Sequence, residues 1–465
     1  MLLSTPWSLY YQDNDFWILI RSAAITFAVG AVFWFFSRGT IRLNIKDWFT
    51  IGTLGCVIAS LFCALPIYLS GYLPHFYDAV FESISGLTTT GATVLGSAST
   101  RSIEELPHGI LFWRSLTQFI GGFGTLIFSI AILPLHGMNS LELSKADVAG
   151  PISEKVTPRV RQTTKALASV YVALVLLETL FLKLAGMTLF ESFCHSFATL
   201  STGGFSTSSA NIGFFNSGPI EWILILFMII AATNFTFHHR LLTRRSFIYF
   251  KDKEFRTFIW FIALLFLILL FDGSARLFGF SFATVRNALF TTVSMLSTTG
   301  FYSSDYNLWP NLTRTLIFLM FFLGGMTAST AGGLKMIRSI IVFKYLKIVI
   351  KKMLHPQAVY PLTIGGKIIH QDAVRNTVGF YLIYIVVFVI VSILFAALGL
   401  DLTTSISASA SSLGNIGPGF GSIGPFQNWG HFPESAKWLA SFCMLLGRLE
   451  LFAVIILFSR SYWEK

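Results

Sequence analysis

Charge is scarce in this 465-residue chain: Asp, Glu, Lys and Arg make up 12% of it, about half the ~25% of an ordinary soluble domain. A composition so poor in charge excludes a soluble globular enzyme. Cysteine is sparse too. Cys56, Cys63, Cys194 and Cys443 all lie in apolar stretches without metal-ligand spacing, which excludes a disulfide framework and a cysteine metal site. Residues 1–15 lack the basic start of a cleavable signal, and MLLSTPWSLYY is too short to span a bilayer, so it reads as a helix stub.

What is abundant is apolar: 54% of the residues are hydrophobic, with 48 Phe and 37 Gly. Runs long enough to cross hydrocarbon as helices, ~20 residues each, stand at 16–36, 48–70, 109–135, 166–186, 219–237, 256–272, 312–350, 377–399 and 436–459. Rings suit lipid-facing surface and small residues suit close helix packing. The alternating strands of a membrane β-barrel are missing. The expected class is an all-α polytopic membrane protein.

The formal charge of +11 reports topology. Basic residues cluster in alternate connections: Arg38, Arg42 and Lys46; Lys145, Lys155, Arg159, Arg161 and Lys165; Arg240, Arg244, Arg245, Lys251, Lys253 and Arg256; Lys335, Arg338, Lys344, Lys347, Lys351 and Lys352. The connections 71–107, 187–218, 273–311 and 400–437 hold few Lys or Arg, so the basic side is cytoplasmic. Nucleic acid is not an expected partner, because no basic stripe interleaved with aromatics marks a polar domain.

The charge-poor connections contain a repeat. Without gaps they read DAVFESISGLTTTG (78–91), ESFCHSFATLSTGG (191–204), NALFTTVSMLSTTG (287–300) and TSISASASSLGNIG (404–417). Each ends in glycine. Four positions earlier stands Leu87, Leu200, Leu296 or Leu413, and eight earlier Ser83, Ser196, Thr292 or Ser409, which is helical spacing. Asp78, Glu191, Asn287 and Thr404 head the segments, and these residue types predict helix starts there. Each segment therefore reads as a short re-entrant helix followed by a glycine-containing strip. The chain divides into a preceding region, 1–46, and four pore units at 47–135, 136–237, 238–350 and 351–465, the second with a cytoplasmic linker and the third with an intramembrane gating loop. All four units run the same way, so they are expected around one central ion pore rather than as inverted repeats.

Bringing a bare monovalent cation into low dielectric costs on the order of 20 kcal/mol in the idealised limit, and backbone carbonyls turned inward by glycine can replace its water. The candidate filter is Thr89, Thr90 and Gly91; Thr202, Gly203 and Gly204; Thr298, Thr299 and Gly300; Asn415, Ile416 and Gly417. Thr88, Ser201 and Ser297 add hydroxyl oxygen, and the helix C-termini add negative partial charge that favours cations. No ring of carboxylates accompanies them, which argues against a divalent-cation filter.

In the third unit, Gly324, Gly325, Thr327, Ser329, Thr330, Gly332 and Gly333 interrupt an apolar run. Glycine costs ~1 kcal/mol relative to alanine in a helix, so this composition predicts broken backbone at membrane depth, a movable plug beneath the filter. Small-residue helix packing is the other reading. The other second spans show no such concentration. Arg448 falls near mid-membrane, where an uncompensated charge costs ~3 kcal/mol or more. It is expected to face the cavity, hold the plug through loop carbonyls and oppose cations, with a structural ion pair as the alternative. Lys335 either assists it or marks the cytoplasmic interface, and Glu450 should face elsewhere. Arg114 is expected to snorkel at the outer end. Asn234 reads as an inter-helix bonding or pore-lining residue, His195 as packing, and His238 and His239 as cytoplasmic-interface residues.

TTTGAT, STGGFS, STTGF, GNIGPGFG, the interrupted helix GGMTASTAGGLKMIR at 324–338 and MLLGRLELF at 444–452 together resemble the Trk/Ktr/HKT superfamily of potassium transport proteins, the bacterial Trk membrane subunits in particular. The resemblance covers nearly the whole chain, in order. It implies a potassium-conducting subunit of the bacterial cytoplasmic membrane with a cytoplasmic C-terminus. It also implies a homodimer in the lipid bilayer joined to a cytoplasmic ring of nucleotide-binding, RCK-type regulatory domains. No cofactor is implied in this chain; the potassium ion is substrate, held by filter carbonyls. Family members with serine at the first filter glycine tend to pass sodium, whereas this chain has Gly91. Two features depart from the family: one full span precedes residue 48 where two helices are usual, and Ala328 and Ala331 replace common glycines.

The leading expectation is gated, channel-like potassium uptake. A proton- or sodium-coupled secondary transporter would call for intramembrane carboxylates, and Glu178 and Glu450 both lie outside the strips. An intramembrane hydrolase lacks a paired Ser and His, GFGS at 419–422 being only a fragment.

Overall fold

The computed structural model describes residues 1–37, 45–97, 100–132, 156–244 and 249–464. The basic residues Arg38, Arg42, Lys145, Lys155 and Arg245, and the expected boundary at 135/136, lie outside them. A short helix α1 (Thr5–Tyr11) and the long α2 (Phe16–Phe36) precede the units. Asp13 and Asp15 join this region to the first unit, accepting the backbone N–H groups of His108 and Ile110 at 2.7 and 2.9 Å.

Unit 1 comprises α3 (Ile45–Leu69), the re-entrant α4 (Phe76–Leu87) and α5 (His108–Ile132). Unit 2 has α6 (Val156–Leu184), the re-entrant α7 (Leu189–Leu200), then α8 (Gly218–Ala232) and α9 (Phe235–Arg244). Unit 3 runs through α10 (Lys253–Ile268), a π-helical turn (Leu269–Ser274), α11 (Ala275–Phe278), the re-entrant α12 (Phe282–Leu296), α13 (Asn311–Met320) and α14 (Met336–Leu354). A small antiparallel hairpin, β1 (Thr363–Ile364) with β2 (Lys367–Ile368), leads to unit 4. That unit holds α15 (Gln371–Ala397), the re-entrant α16 (Leu402–Gly414), α17 (Glu434–Arg448) and α18 (Glu450–Ile455).

The re-entrant helices begin earlier than expected. Their N-caps are His75, Thr188, Ser281 and Asp401 rather than Asp78, Glu191, Asn287 and Thr404. In three of them an upstream side chain takes the role: Thr188 and Glu191 form a reciprocal capping box, Ser281 accepts from Thr284 N–H, and Asp401 from Thr404 N–H.

The second spans are also more broken than their composition predicts. The expected span 219–237 bends by 98° between α8 and α9, and 436–459 bends by 109° between α17 and α18. Neither break has the glycines of the third unit. Thr233 is extended, and the Asn234 carboxamide oxygen caps α9 by accepting Thr236 N–H at 2.9 Å and its hydroxyl at 2.7 Å. Asn234 therefore serves a local bend. At the other break Glu450 sits at φ +56°, which sends Arg448 and Glu450 in different directions.

Buried ion pairs join neighbouring units at equivalent places. Lys437, on the first turn of α17, meets Asp78 of α4 at 2.6 Å, and Glu221, on the first turn of α8, meets Arg286 of α12 at 2.9 Å. The polarity is reversed between the two, so each second span matches only its own neighbour. Removing one partner of a buried pair strands the other, at ~3–5 kcal/mol. Lys437→Met should therefore lower the thermal unfolding temperature of the detergent-solubilised protein, and adding Asp78→Leu should restore most of it. A single variant as stable as the parent would remove this pair from the forces that order the units.

Candidate functional site

All four re-entrant helices end in the same way. The N–H of Thr90, Gly203, Thr299 and Ile416 reaches back to Ser85, Ala198, Ser294 and Ser411 O at 2.7–3.0 Å. The N–H of Thr89, Thr202, Thr298 and Asn415 reaches Gly86, Thr199, Met295 and Ser412 O. This pair of bonds is a Schellman ending, which requires a left-handed residue just past the helix. That residue is Thr89 (φ +51°), Thr202 (+55°), Thr298 (+59°) or Asn415 (+53°), not the strip glycine. The glycines are left-handed too: Gly91 at +82°, Gly204 at +73°, Gly300 at +76° and Gly417 at +99°, with a residue of negative φ before each. Alternating handedness turns successive carbonyls toward one side of a strip, the arrangement a carbonyl-lined ion site needs. Three threonines held left-handed are strained, at ~1–3 kcal/mol each.

The strips meet in a closed ring. A Cβ on Gly91 would strike the carbonyl oxygen of Gly203; on Gly204, that of Thr299; on Gly300, that of Ile416; on Gly417, that of Thr90. Each glycine thus abuts the residue before the next unit's glycine, and the fourth contact returns to the first. Side chains from behind hold the ring. Gln118 Nε2 donates to Gly203 O at 2.6 Å and its Oε1 accepts Phe205 N–H, while Asn211 Nδ2 donates to Gly204 O and Trp429 Nε1 to Gly417 O, both at 3.2 Å. On the outer side a cavity is lined by all four strip glycines with Arg114, Asn211, Tyr302 and Trp429. At its rim Glu104 ties the two first units. Burial would raise its carboxyl, but the Ser209 N–H and the Ser208 and Ser209 hydroxyls outweigh that and hold it below its usual range.

On the other side, residues 321–335 between α13 and α14 leave helical structure and are held by the breaks in neighbouring helices. Met326 N–H donates to Ala232 O at 2.8 Å and Phe235 N–H to Ala328 O at 3.0 Å, so the bend after α8 supplies one acceptor and one donor. Thr330 Oγ1 donates to Leu200 O at 2.9 Å and Ala231 O at 3.1 Å. The segment also bonds the left-handed residues above it: Thr202 Oγ1 donates to Thr330 O at 3.0 Å, and Gly332 N–H to Thr298 Oγ1 at 2.7 Å. Gly324 packs against Gly332 O, Gly325 against Ala331 and Ala232, Gly332 against Gly414 O, and Gly333 against Leu323 O, each too closely for a Cβ. Ser329 Oγ donates to Met326 O at 2.5 Å, and Thr327 and Ile337 N–H groups converge on Glu254 Oε1 at 2.8 and 3.2 Å.

Arg448 Nη1 donates to Thr330 O at 2.8 Å, and Lys335 Nζ to Ser329 O at 3.4 Å and more closely to Ala331 O. Two cationic groups therefore sit on this segment. Glu450 turns away to Arg338, 2.6 Å distant. The four strips, the segment 321–335 and Arg448 are thus joined by one continuous set of contacts.

Not every other expectation holds. Arg114 does not snorkel: it is buried and paired to Glu82 at 2.5 Å. The sequence carried a signal for it, since Arg114 and Gln118 are four apart in an apolar helix and share an inward face. His238 is buried too, between Tyr249 Oη at 2.7 Å and Ile230 O at 3.0 Å, rather than at an interface. His195 is a packing residue bonded to Glu191 O and Ser206 Oγ. Glu178 is buried beside Thr199 of α7, outside the strips.

A fourfold helix–strip–helix ring in a multi-span helical protein defines a membrane ion-transport pore protein. The family model of the TrkH cation transport protein matches residues 18–280 and 281–465, and the chain belongs to this family. It is 36% identical over 472 residues, covering 100% of this chain and 96% of the relative, to the Trk system potassium uptake protein TrkH of Vibrio parahaemolyticus. It is 34% identical over 465 residues to the Escherichia coli Trk system potassium uptake protein TrkG, covering 98% and 94% of the two chains. The crystal structure of the potassium transporter TrkH from Vibrio parahaemolyticus superposes with a TM-score of 0.91 at 34% identity, covering 100% of this chain and 96% of that one.

Gly91→Ser puts a side chain at φ +82° against Gly203 O. The expected outcome is weaker discrimination between alkali cations, read as a lower ratio of potassium to sodium flux in proteoliposomes. An unchanged ratio would defeat the assignment of these strips.

Proposed function

We propose that this chain takes up potassium across the bacterial cytoplasmic membrane through the ring of four strips, and that residues 321–335 gate it from the cytoplasmic side. The closed cycle of glycine-to-carbonyl contacts carries the reading. A cation gives up its water only where several oxygens replace it at once, and one ring of inward carbonyls from four strips supplies them without a fixed charge that would trap the ion. The potassium uptake named for its relatives at about one-third identity supports the choice of ion.

The segment beneath the ring acts as the closed gate. Thr330 and Gly332 bond to two of the four left-handed residues, so the plug sits where the strips begin. Arg448 fastens it through Thr330 O, and Lys335 adds a second positive charge that opposes cations. Opening must move the loop with α14, which continues from it toward the β1–β2 hairpin. We infer that two copies pair in the bilayer and that a ring of nucleotide-binding regulatory domains engages the cytoplasmic side and biases this movement.

The test is flux of potassium and sodium in proteoliposomes with each opposing ion replaced in turn. Potassium flux should persist without any proton or sodium gradient; flux that vanishes with one of them would establish obligatory coupling. Deleting residues 327–331 should raise the leak in the closed condition, and a deletion variant that stays closed would discredit the plug. A hydrogen bond to a charged group is worth ~1.5–3 kcal/mol, so Arg448→Ala should raise basal flux about tenfold or more. Loss of all flux in a folded Arg448→Ala protein would give the arginine a structural role instead.

A further inference from the structure

Behind the outer ends of the first two strips lies an ionic network that carbonyl coordination does not itself require. Arg114 of α5 donates Nε to Glu82 Oε1 of α4 at 2.5 Å and Nη1 to Ser206 O at 3.0 Å. Glu82 also accepts the Thr93 hydroxyl, at 3.0 and 3.1 Å to its two oxygens, and Val94 N–H at 3.1 Å. The Ser206 hydroxyl continues to His195 Nε2 at 3.0 Å, and the guanidinium lies 3.5 Å from the centre of the Phe205 ring. The two ionic side chains are only 3% and 0% exposed, yet Arg114 borders the outer cavity together with the four strip glycines.

The network has a place in the repeat. Glu82 and His195 each stand nine residues before their strip glycine, and Thr93 and Ser206 each two after it. At these positions units 3 and 4 carry Thr291 with Tyr302 and Ala408 with Gly419, which offer no ion pair. The carboxylate–guanidinium pair is thus particular to the first unit, whereas Arg314 of α13 in the third lies over the Phe420 ring without a carboxylate at the equivalent of Glu82.

A buried ion pair returns little net stability over an apolar replacement, though losing one partner is costly. What a guanidinium supplies is fixed geometry: planar donors that hold several acceptors at set distances. Here one group spans α4, reaches the exit of strip 1 through Glu82, and reaches the exit of strip 2 through Ser206. It also sits beside the route of entering cations, where an uncompensated positive charge would repel them.

We propose that the Arg114–Glu82 pair determines ion specificity by fixing the spacing of strips 1 and 2 at the outer end of the ring, with Glu82 neutralising the guanidinium at the entrance. Arg114 and Glu82 are positioning residues that act through the backbone of both strips. The proposal rests on the reading of the ring as the potassium filter.

The test is the ratio of potassium to sodium flux in proteoliposomes, with thermal unfolding and size-exclusion profiles reporting the fold. Arg114→Lys keeps the charge but loses the planar fork, and should lower the ratio about fivefold in a protein of parental stability. Thr93→Val removes the hydroxyl bonds to Glu82 together with the acceptor of Leu95 N–H, and should lower it about twofold. Glu82→Gln leaves the guanidinium charge uncompensated, and should reduce potassium influx most strongly at low ionic strength. A folded Arg114→Lys with the parental ratio overturns the proposal; should that variant fail to assemble, an unchanged ratio in Thr93→Val overturns it. Gly91→Ser in the same assay separates the two readings. If it shifts the ratio while the brace variants do not, the brace alone is wrong. If it leaves the ratio unchanged, the filter assignment falls and the brace with it.

Discussion

The structure depends on the close approach of four glycines to four carbonyl oxygens, each from the next unit. These carbonyl oxygens leave no room for a side chain on the facing glycine, so the contact is available only to residues without a Cβ. Everything around the ring holds this unfavourable arrangement in place. Left-handed Thr89, Thr202, Thr298 and Asn415 end the helices and turn the chain into the strips, while Gln118 bonds the approached carbonyl of Gly203, and Asn211 and Trp429 bond the carbonyls of the glycines Gly204 and Gly417. Strain of this kind persists only where the surroundings over-determine it.

The same principle governs the segment at 321–335. Non-helical backbone at membrane depth is tolerable only if its polar groups find partners, and the bend after α8 exposes Ala232 O and Phe235 N–H for that purpose. The third unit's loop and the second unit's bend are one feature built from two units. The break after α17 belongs to it too, because turning the chain there allows Arg448 to reach Thr330 O while Glu450 pairs with Arg338. The segment is held mainly by hydrogen bonds to the backbone of neighbouring units, with Met326, Ala331 and Leu334 buried among them.

Much of this was legible in the amino-acid order. The in-register strips, their glycines and the interrupted third unit are local patterns, and local spacing is what a sequence displays directly. The helix starts were misplaced by about a turn, since Thr188, Ser281 and Asp401 compete with Glu191, Asn287 and Thr404 as caps and nothing local ranks them. Arg114 was read as snorkelling because its partner, Glu82, lies 32 positions away. The bends at Thr233 and Glu450 carry no cluster of glycine or proline; they are stabilised by contacts with other units.

By itself the sequence determined the class of solvent and the four in-register segments with their glycines, because hydropathy and repeat spacing are properties of contiguous segments. Tertiary structure alone decided that the glycines close into a ring, which helices break to receive the loop, and where each buried charge finds its counterpart. Those outcomes are contacts between groups far apart along the chain, and their energies depend on distance and burial that exist only once the units have packed.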